Sequence, residues 1–167
     1  VIRQNPTQGI MAQVKKKTGY SRETKDPLTV AQQQKFMNFT ANDPVHVKYV
    51  PLFTLYLGTG CRMGEALGLR WVDVDFENRV IHITHAAKYR PGTDDKAQWT
   101  ITEPKTKAGI RDIPMIDQVY DALKAEYKAQ QERGFPTPTI SGMTGFIFVN
   151  EEGRLRSPEA INRAIDT

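Results

Sequence analysis

The chain has few of the features that would place a protein outside the cell or in a membrane. Its 167 residues include one cysteine, Cys61, which excludes an internal disulfide framework and fits a reducing cytoplasm, where we expect the protein to act. No apolar run is long enough to cross a bilayer, so no membrane association is expected. Residues 1–6 lack the apolar stretch and the cleavage site of a signal peptide. Length and composition favour one globular domain with its own core.

The basic excess of the chain lies in its first 25 residues. The net charge is +4, and residues 1–25 carry six basic side chains against Glu23 alone. This stretch is polar and contains proline and glycine without apolar periodicity. We therefore interpret residues 1–27 as a basic interdomain linker or arm and residues 28–167 as the folded part. Such an arm is either a solvated tail or one that follows a phosphate backbone, and its candidate phosphate contacts are Lys15, Lys16, Lys17 and Arg22.

Capping residues and apolar spacing predict five helices. Thr29 and Gln32 form a capping box that starts the first helix, which runs to about Phe39. Its candidate core residues are Val30, Phe36, Met37 and Phe39. The next two helices cover about 45–57 and 62–69, and a Gly-Thr-Gly run separates them. The fourth covers 116–133, with an apolar face formed by Ile116, Val119, Tyr120, Leu123 and Tyr127. The last starts with Ser157 as N-cap and Pro158 at the first helical position.

Between the third and fourth helices the pattern changes to that of strands. Residues 80–85 alternate with β-branched side chains, and residues 98–102 and 110–115 are predicted as two further strands. Residues 146–149 are predicted as a short buried segment. The order of helices, small sheet and helices predicts an α+β fold. It is mostly helical, with a small three-stranded antiparallel sheet at one edge.

Residues 59–75, TGCRMGEALGLRWVDVD, join a turn to a helix that opens with Arg62. Glu65 follows at i+3, so the two side chains share a helix face and can touch. An arginine at a helix N-terminus opposes the macrodipole, at a cost of roughly 0.3–1 kcal/mol. Either Glu65 or a bound anion such as phosphate relieves this cost. The spacing alone leaves an ordinary surface ion pair open as the alternative.

The run 105–114, KTKAGIRDIP, is a basic turn between two predicted strands. Lysine is a compact cation with several donors and is suited to delivering a proton. Lys105 is the first candidate for that role, and Lys107 is its rival and a candidate phosphate contact. A solvated basic hairpin is the alternative. Arg111 is expected to pair structurally, with a backbone phosphate as its other option.

Three further residue sets invite other assignments. Asp73 and Asp75 alternate as ligands of a hard cation can, but we interpret them as turn-forming residues at a helix exit and expect no metal. His82 and His85 lie on opposite faces of a strand, which argues against a shared metal. Cys61, beside Arg62, could have a lowered thiol pKa, and we expect it instead to fill space against the helix.

Together, the two runs resemble the first half of the active site of the tyrosine recombinases, and of the integrases of phages and conjugative transposons in particular. The resemblance covers about 29–167. It implies the same α+β fold and the site-specific integration or excision of a mobile element. It also implies that Arg62 contacts the scissile phosphate, that Glu65 orients Arg62, and that Lys105 is the general acid for the leaving 5′-hydroxyl. No metal or other cofactor is implied, because side-chain cations carry the charge.

The second half of the family's pattern is not found in this sequence. That half comprises a His-x-x-Arg box, a further His or Trp, and a nucleophilic Tyr. None of the three histidines begins such a box, and the six tyrosines lie before or within the first half. The nucleophile is therefore unknown, and we expect this chain alone to be inactive.

The resemblance implies that the full-length protein cleaves and rejoins duplex DNA through a 3′-phosphotyrosyl intermediate. It also implies that the protein acts as a tetramer on its DNA. The alternative is a catalytically inactive DNA-binding or regulatory module derived from the same fold.

Overall fold

A computed structural model of the chain describes residues 26–90, 98–104 and 107–165. The chain divides into two compact units, Val1–Gln33 and Gln34–Thr167. In the first unit, the predicted capping box is confirmed: the Gln32 N–H donates to Thr29 Oγ1 (3.3 Å), and the Thr29 N–H donates to Gln32 Oε1 (2.8 Å). Most of the predicted arm, including Lys15, Lys16, Lys17 and Arg22, lies outside the described residues.

The five predicted helices are present, but the second begins at Val50 rather than near residue 45, after a 3-10 turn at Val47–Tyr49. Pro51 lies in the first turn of the second helix, where its missing N–H has no intrahelical partner to lose. Ser157 Oγ accepts from the Ala160 N–H (3.2 Å), which confirms it as an N-cap. Among the described residues, no helix has the length and apolar character needed to span a bilayer. The helices are α1 Val30–Asn42, α2 Val50–Thr59, α3 Met63–Gly68, α4 Asp117–Glu132 and α5 Pro158–Ile165.

The predicted core face of the first helix is only half right. Phe36 and Met37 pack against the core, but Val30 and Phe39 are 69% and 46% exposed. Thr40 takes the buried position instead. It can do so because its hydroxyl donates to the Phe36 carbonyl (2.9 Å), which satisfies the polar group and leaves the methyl group to pack.

Two antiparallel sheets replace the single sheet expected from the sequence. The three-stranded sheet has the order β1-β2-β5, and a separate hairpin pairs β3 with β4. The predicted strand 80–85 ends at Ile83 because His85 is buried and donates from Nε2 to the Gly68 carbonyl (2.7 Å). The chain then begins a new strand, which pairs with residues 98–102. The strands are β1 Val74–Asp75, β2 Val80–Ile83, β3 Ala86–Arg90, β4 Gln98–Thr102 and β5 Arg111–Pro114.

Two glycines allow β3 to lie directly against α3. A Cβ atom at Gly64 would be 2.8 Å from the Ala87 carbonyl oxygen, and one at Gly68 would be 2.8 Å from the Ala87 nitrogen. Real Cβ atoms do not approach backbone atoms this closely. The absence of side chains at these two positions therefore determines how the β3–β4 hairpin sits on the helix that Arg62 precedes.

The predicted buried segment 146–149 is confirmed, and it packs in the core next to the C-terminal end of α3. The Ile147 N–H donates to the Leu69 carbonyl (3.0 Å). Gln130, fully buried in α4, donates from its amide to the Ile147 carbonyl. Its Oε1 accepts from Trp71 Nε1 (2.8 Å). One glutamine therefore joins α4, the buried segment and the residues after α3.

We predict that Gly68→Ala destabilises the chain. In a helix interior this substitution usually adds up to about 1 kcal/mol of stability. Here the new Cβ meets the backbone of β3, and overpacking of this kind costs about 1–3 kcal/mol. Urea unfolding followed by circular dichroism measures the change, with exposed Lys128→Ala in α4 as control. A Gly68→Ala chain as stable as the original would contradict the contact.

Candidate active site

The turn between α2 and α3 places Arg62 at the surface. Gly60 has a φ of 62° and donates from its N–H to the Tyr56 carbonyl (2.9 Å). A side chain with a Cβ would cost roughly 1–2 kcal/mol in this left-handed conformation. Thr59 Oγ1 accepts from the Cys61 N–H (3.2 Å). The chain therefore ends one helix and starts the next within three residues.

Arg62 is the N-cap residue of α3 and has an extended backbone, with φ −72° and ψ 153°. The sequence predicted Arg62 as the first residue of the helix, whereas the helix begins one residue later, at Met63. Its side chain is 79% exposed. Within the described part of the chain, its guanidinium has one hydrogen-bonded partner, Glu65, through Nη1 (3.0 Å to Oε1). The predicted contact between Arg62 and Glu65 is confirmed.

The carboxylate of Glu65 is 9% exposed and accepts four hydrogen bonds. Two come from Arg62: Nη1 donates to Oε1, and the backbone N–H donates to Oε2 (2.9 Å). Two come from Arg111 on β5: Nη1 donates to Oε1 (3.1 Å) and Nη2 to Oε2 (2.8 Å). Glu65 therefore joins the start of α3 to the last strand of the three-stranded sheet.

These contacts stabilise the charged form of Glu65. The bonds from Arg111 first, and those from Arg62 second, lower the pKa of the Glu65 carboxyl from 4.5 to about 2, against the opposing effect of its burial. The same pair raises the pKa of Arg111. Two guanidinium groups share one carboxylate, so this cluster keeps one net positive charge, and the exposed member of the cluster is Arg62.

The predicted structural pairing of Arg111 is confirmed. The partner of Arg111 is Glu65, 46 residues earlier in the chain, and the side chain of Arg111 is 32% exposed. Arg111 Nη1 also lies 3.4 Å from the Gly109 carbonyl oxygen. A direct contact of Arg111 with a DNA phosphate stays a prediction.

Lys105 lies outside the described residues, and Lys107 is described by its backbone alone, so the assignment of the general acid stays a prediction. The residues that flank the Lys105–Thr106 pair are described. Pro104 packs against Gly109, where an added Cβ would lie 2.5 Å from Pro104 Cβ. Because Arg111 contacts Gly109 as well as Glu65, Gly109 and Pro104 are connected to the Arg62 cluster.

The aspartates and the cysteine have structural partners. Asp73 accepts from Arg70 Nε and Nη2 (3.2 and 3.1 Å), and Asp75 Oδ1 accepts from the Glu77 and Asn78 N–H groups (both 2.9 Å). Both therefore act as the turn-forming residues expected at the helix exit. Cys61 is buried, and its burial raises the thiol pKa. The thiol therefore fills space in the core as expected, and its pKa is shifted upward rather than lowered.

Three of the described tyrosines, Tyr56, Tyr120 and Tyr127, make contacts that are typical of structural residues. The rings of Tyr120 and Tyr127 lie 5.7 and 6.3 Å from the ring of Phe76. Tyr120 packs against the core, as its place on the apolar face of α4 predicts, but Tyr127 is 38% exposed. The hydroxyl of Tyr56 is buried and has no hydrogen-bond partner in the described part of the chain. Its burial raises the pKa of Tyr56, which disfavours a phenolate.

Comparisons with known proteins agree on one family. The model of the phage integrase family matches residues 27–167. The transposase from transposon Tn916 of Enterococcus faecalis is 32% identical over 128 residues, covering 77% of this chain and 30% of that protein. A XerC-like tyrosine recombinase of Caldanaerobacter subterraneus subsp. tengcongensis is 34% identical over 109 residues, covering 61% and 28%.

Solved structures give the same result. The Tn1549 transposon integrase in complex with transposon right end DNA superposes with a TM-score of 0.82 at 34% identity, covering 99% of this chain and 51% of that one. The XerA recombinase, at 15% identity and a TM-score of 0.59, shares the fold. The chain thus spans about half the length of the matched structures and under a third of the length of the curated relatives.

We predict that Glu65→Gln lowers stability in a pH-dependent manner. A carboxyl whose pKa is lowered by folding contributes stability above its unfolded pKa, and this contribution disappears as the pH falls from about 4.5 toward 2. At pH 7 the loss should be on the order of 2 kcal/mol, because solvent screens the exposed Arg62.

Urea unfolding at pH 7, 5, 4 and 3 measures this difference, with exposed Glu132→Gln as control. The difference in the free energy of unfolding between the original chain and Glu65→Gln should become smaller at the lowest pH. A gap that stays constant from pH 7 to 3 would show that the charge of Glu65 has no such role.

Proposed function

Because the chain belongs to the phage integrase family of tyrosine recombinases, we propose that it forms part of an enzyme that integrates or excises a mobile element by site-specific recombination of duplex DNA. The observation that carries this proposal is the exposed Arg62 held by a buried carboxylate at the start of α3. One nitrogen of its guanidinium is bound to Glu65, and the remaining donors have no partner among the described residues. This arrangement suits a phosphate oxyanion.

The relatives support the choice of DNA as substrate. The curated relatives include transposases and a tyrosine recombinase, and the Tn1549 integrase structures contain circular intermediate DNA or transposon end DNA. We carry duplex DNA over to this chain as its partner, and we expect the full-length protein to assemble as a tetramer on it. Residues 1–27 form the linker or arm in this proposal, and residues 28–167 form the N-terminal part of the catalytic domain.

The proposed reaction conserves the energy of the phosphodiester bond. A tyrosine hydroxyl supplied outside this chain gives its proton to a base that is also outside it, and its oxygen attacks the phosphorus. An O–P bond to the tyrosine forms, and the bond to the 5′-oxygen breaks. Arg62 stabilises the charge that develops on the non-bridging oxygens. Lys105 gives its proton to the leaving 5′-oxygen. Reversal of these steps with another 5′-hydroxyl rejoins the strands, and Glu65 keeps Arg62 oriented throughout.

The alternative is a catalytically inactive DNA-binding or regulatory module with the same fold. It is favoured by the lack of a His-x-x-Arg box in these 167 residues. Both proposals require basic residues that contact DNA phosphates, so a measurement of DNA binding cannot distinguish the enzyme from the inactive module. Covalent trapping does, because the inactive module forms no phosphotyrosyl bond in any context.

We predict that the chain binds duplex DNA with strong salt dependence and weak sequence preference, because phosphate contacts dominate such a surface. Fluorescence anisotropy at several salt concentrations between about 50 and 200 mM measures the slope of log K against log salt. Removal of residues 1–25 should lower the affinity and flatten this slope. Affinity that does not change with salt would contradict the proposal.

We predict that the 167-residue chain forms no covalent adduct on a nicked suicide duplex, since a nucleophile must be held in line with the phosphate that Arg62 contacts. Adding the downstream segment of the parent protein should restore trapping. In that longer protein, Arg62→Ala should abolish trapping but weaken DNA binding only roughly 5-fold, because one phosphate contact among several is lost. Denaturing gels detect the adduct, and one formed by the 167-residue chain itself would disprove the assignment of the chemistry.

A further inference from the structure

The geometry of the Glu65 carboxylate points to Arg111 as a positioning residue for Arg62, and this inference rests on the proposed function. We infer that Arg111 occupies Glu65 with both of its terminal nitrogens so that Arg62 is held by a single donor and keeps the others for DNA phosphate. Arg111 on this account contacts no substrate. It acts through Glu65 on the residue that does.

The hydrogen-bond geometry carries the argument. Arg111 contacts both carboxylate oxygens of Glu65, at 3.1 and 2.8 Å, in the paired arrangement that guanidinium and carboxylate groups favour. Arg62 reaches the carboxylate through side-chain Nη1 alone and adds one backbone N–H. A guanidinium has five N–H donors. Four of those of Arg62 have no protein partner in the described part of the chain, and its side chain is 79% exposed.

Removal of Arg111 changes what Glu65 can do. A carboxylate without its main partner pairs more strongly with the nearest guanidinium, and Arg62 is the one within reach. A forked Arg62–Glu65 pair would direct a second donor of Arg62 toward the protein and away from solvent. The phosphate contact would weaken although no residue that touches DNA had changed.

Arg111 also connects Arg62 to the described residues on either side of Lys105 and Thr106. Arg111 faces Ile83 across the β2–β5 pair, which ties its backbone to the sheet. Its side chain reaches both Glu65 and the Gly109 carbonyl. Pro104 packs against Gly109. One side chain therefore links the helix that follows Arg62 to Gly109 and, through it, to Pro104.

A double-mutant cycle on DNA binding tests this role. Arg111→Gln should weaken binding to a short duplex roughly 5-fold, and Arg62→Ala should do the same, with each salt slope falling by about 1. In the Arg62→Ala background, Arg111→Gln should cause less than a 2-fold further loss and no further change in slope. Arg79→Gln, which removes an exposed arginine paired with Asp117, is the matched control.

A second readout follows the ionisation of Glu65 directly. The carboxyl carbon of Glu65 can be titrated by NMR in the original chain and in Arg111→Gln. The pKa of Glu65 should rise above its value of about 2 in the variant, because Arg111 is the largest cause of its lowering. Arg111→Lys should give an intermediate pKa and an intermediate affinity, since an ammonium keeps the charge but cannot make the paired contact.

The outcomes separate this inference from the proposed function. Equal losses from Arg111→Gln in both backgrounds would overturn the inference, because Arg111 would then contact phosphate itself or act on stability alone. No loss from Arg111→Gln in the original chain would also overturn it. No loss of affinity or slope from Arg62→Ala would remove Arg62 from the DNA interface, and the proposed role of Arg62 and this inference would fail together. Thermal unfolding of each variant confirms that the folded fraction is unchanged.

Discussion

The site depends on one shared carboxylate. Glu65 is almost fully buried, and burial of an unpaired charge is costly, so it must be surrounded by donors. Those donors come from both ends of the candidate site: the backbone and side chain of Arg62 at the start of α3, and the guanidinium of Arg111 on β5. The carboxylate thereby fixes the distance between helix and sheet, and it leaves one positive charge in excess at the surface.

The rest of the fold serves to keep this distance constant. Gly60 allows the abrupt turn from α2 into α3. Gly64 and Gly68 let β3 lie against the backbone of α3. His85 holds the C-terminal end of the same helix through the Gly68 carbonyl. A helix of six residues has little stability of its own, so these contacts rather than its intrinsic propensity hold the short helix in place behind Arg62.

Features that act within a few residues could be predicted from the sequence. The capping box at Thr29, the turn at Gly60 and the N-cap at Ser157 depend on local hydrogen bonds, and all three are present. The Arg62–Glu65 contact belongs to the same class, because the two residues are three positions apart. The order of helices and strands gave the α+β fold class, and the resemblance to tyrosine recombinases added the family, which composition and periodicity could not supply.

Features that depend on distant partners could not be predicted. The end of β2 before Thr84 follows from the contact of His85 with Gly68, 17 residues earlier. The pairing of Arg111 was expected, but its partner, 46 residues away, was not identifiable from spacing. Gln130 can be buried because Trp71 and Ile147 form hydrogen bonds with its amide. The sequence did not predict this burial, because a polar residue near the end of an amphipathic helix is usually exposed.

The central claim is that Arg62 contacts a phosphate of duplex DNA while Glu65 and Arg111 hold it from behind. A crystal structure of the chain bound to a short duplex tests this most directly. The account predicts a phosphate oxygen at about 2.7–2.9 Å from a terminal nitrogen of Arg62, with the Arg111–Glu65 pair unchanged. A complex in which DNA lies on another face of the domain and Arg62 stays in solvent would contradict it.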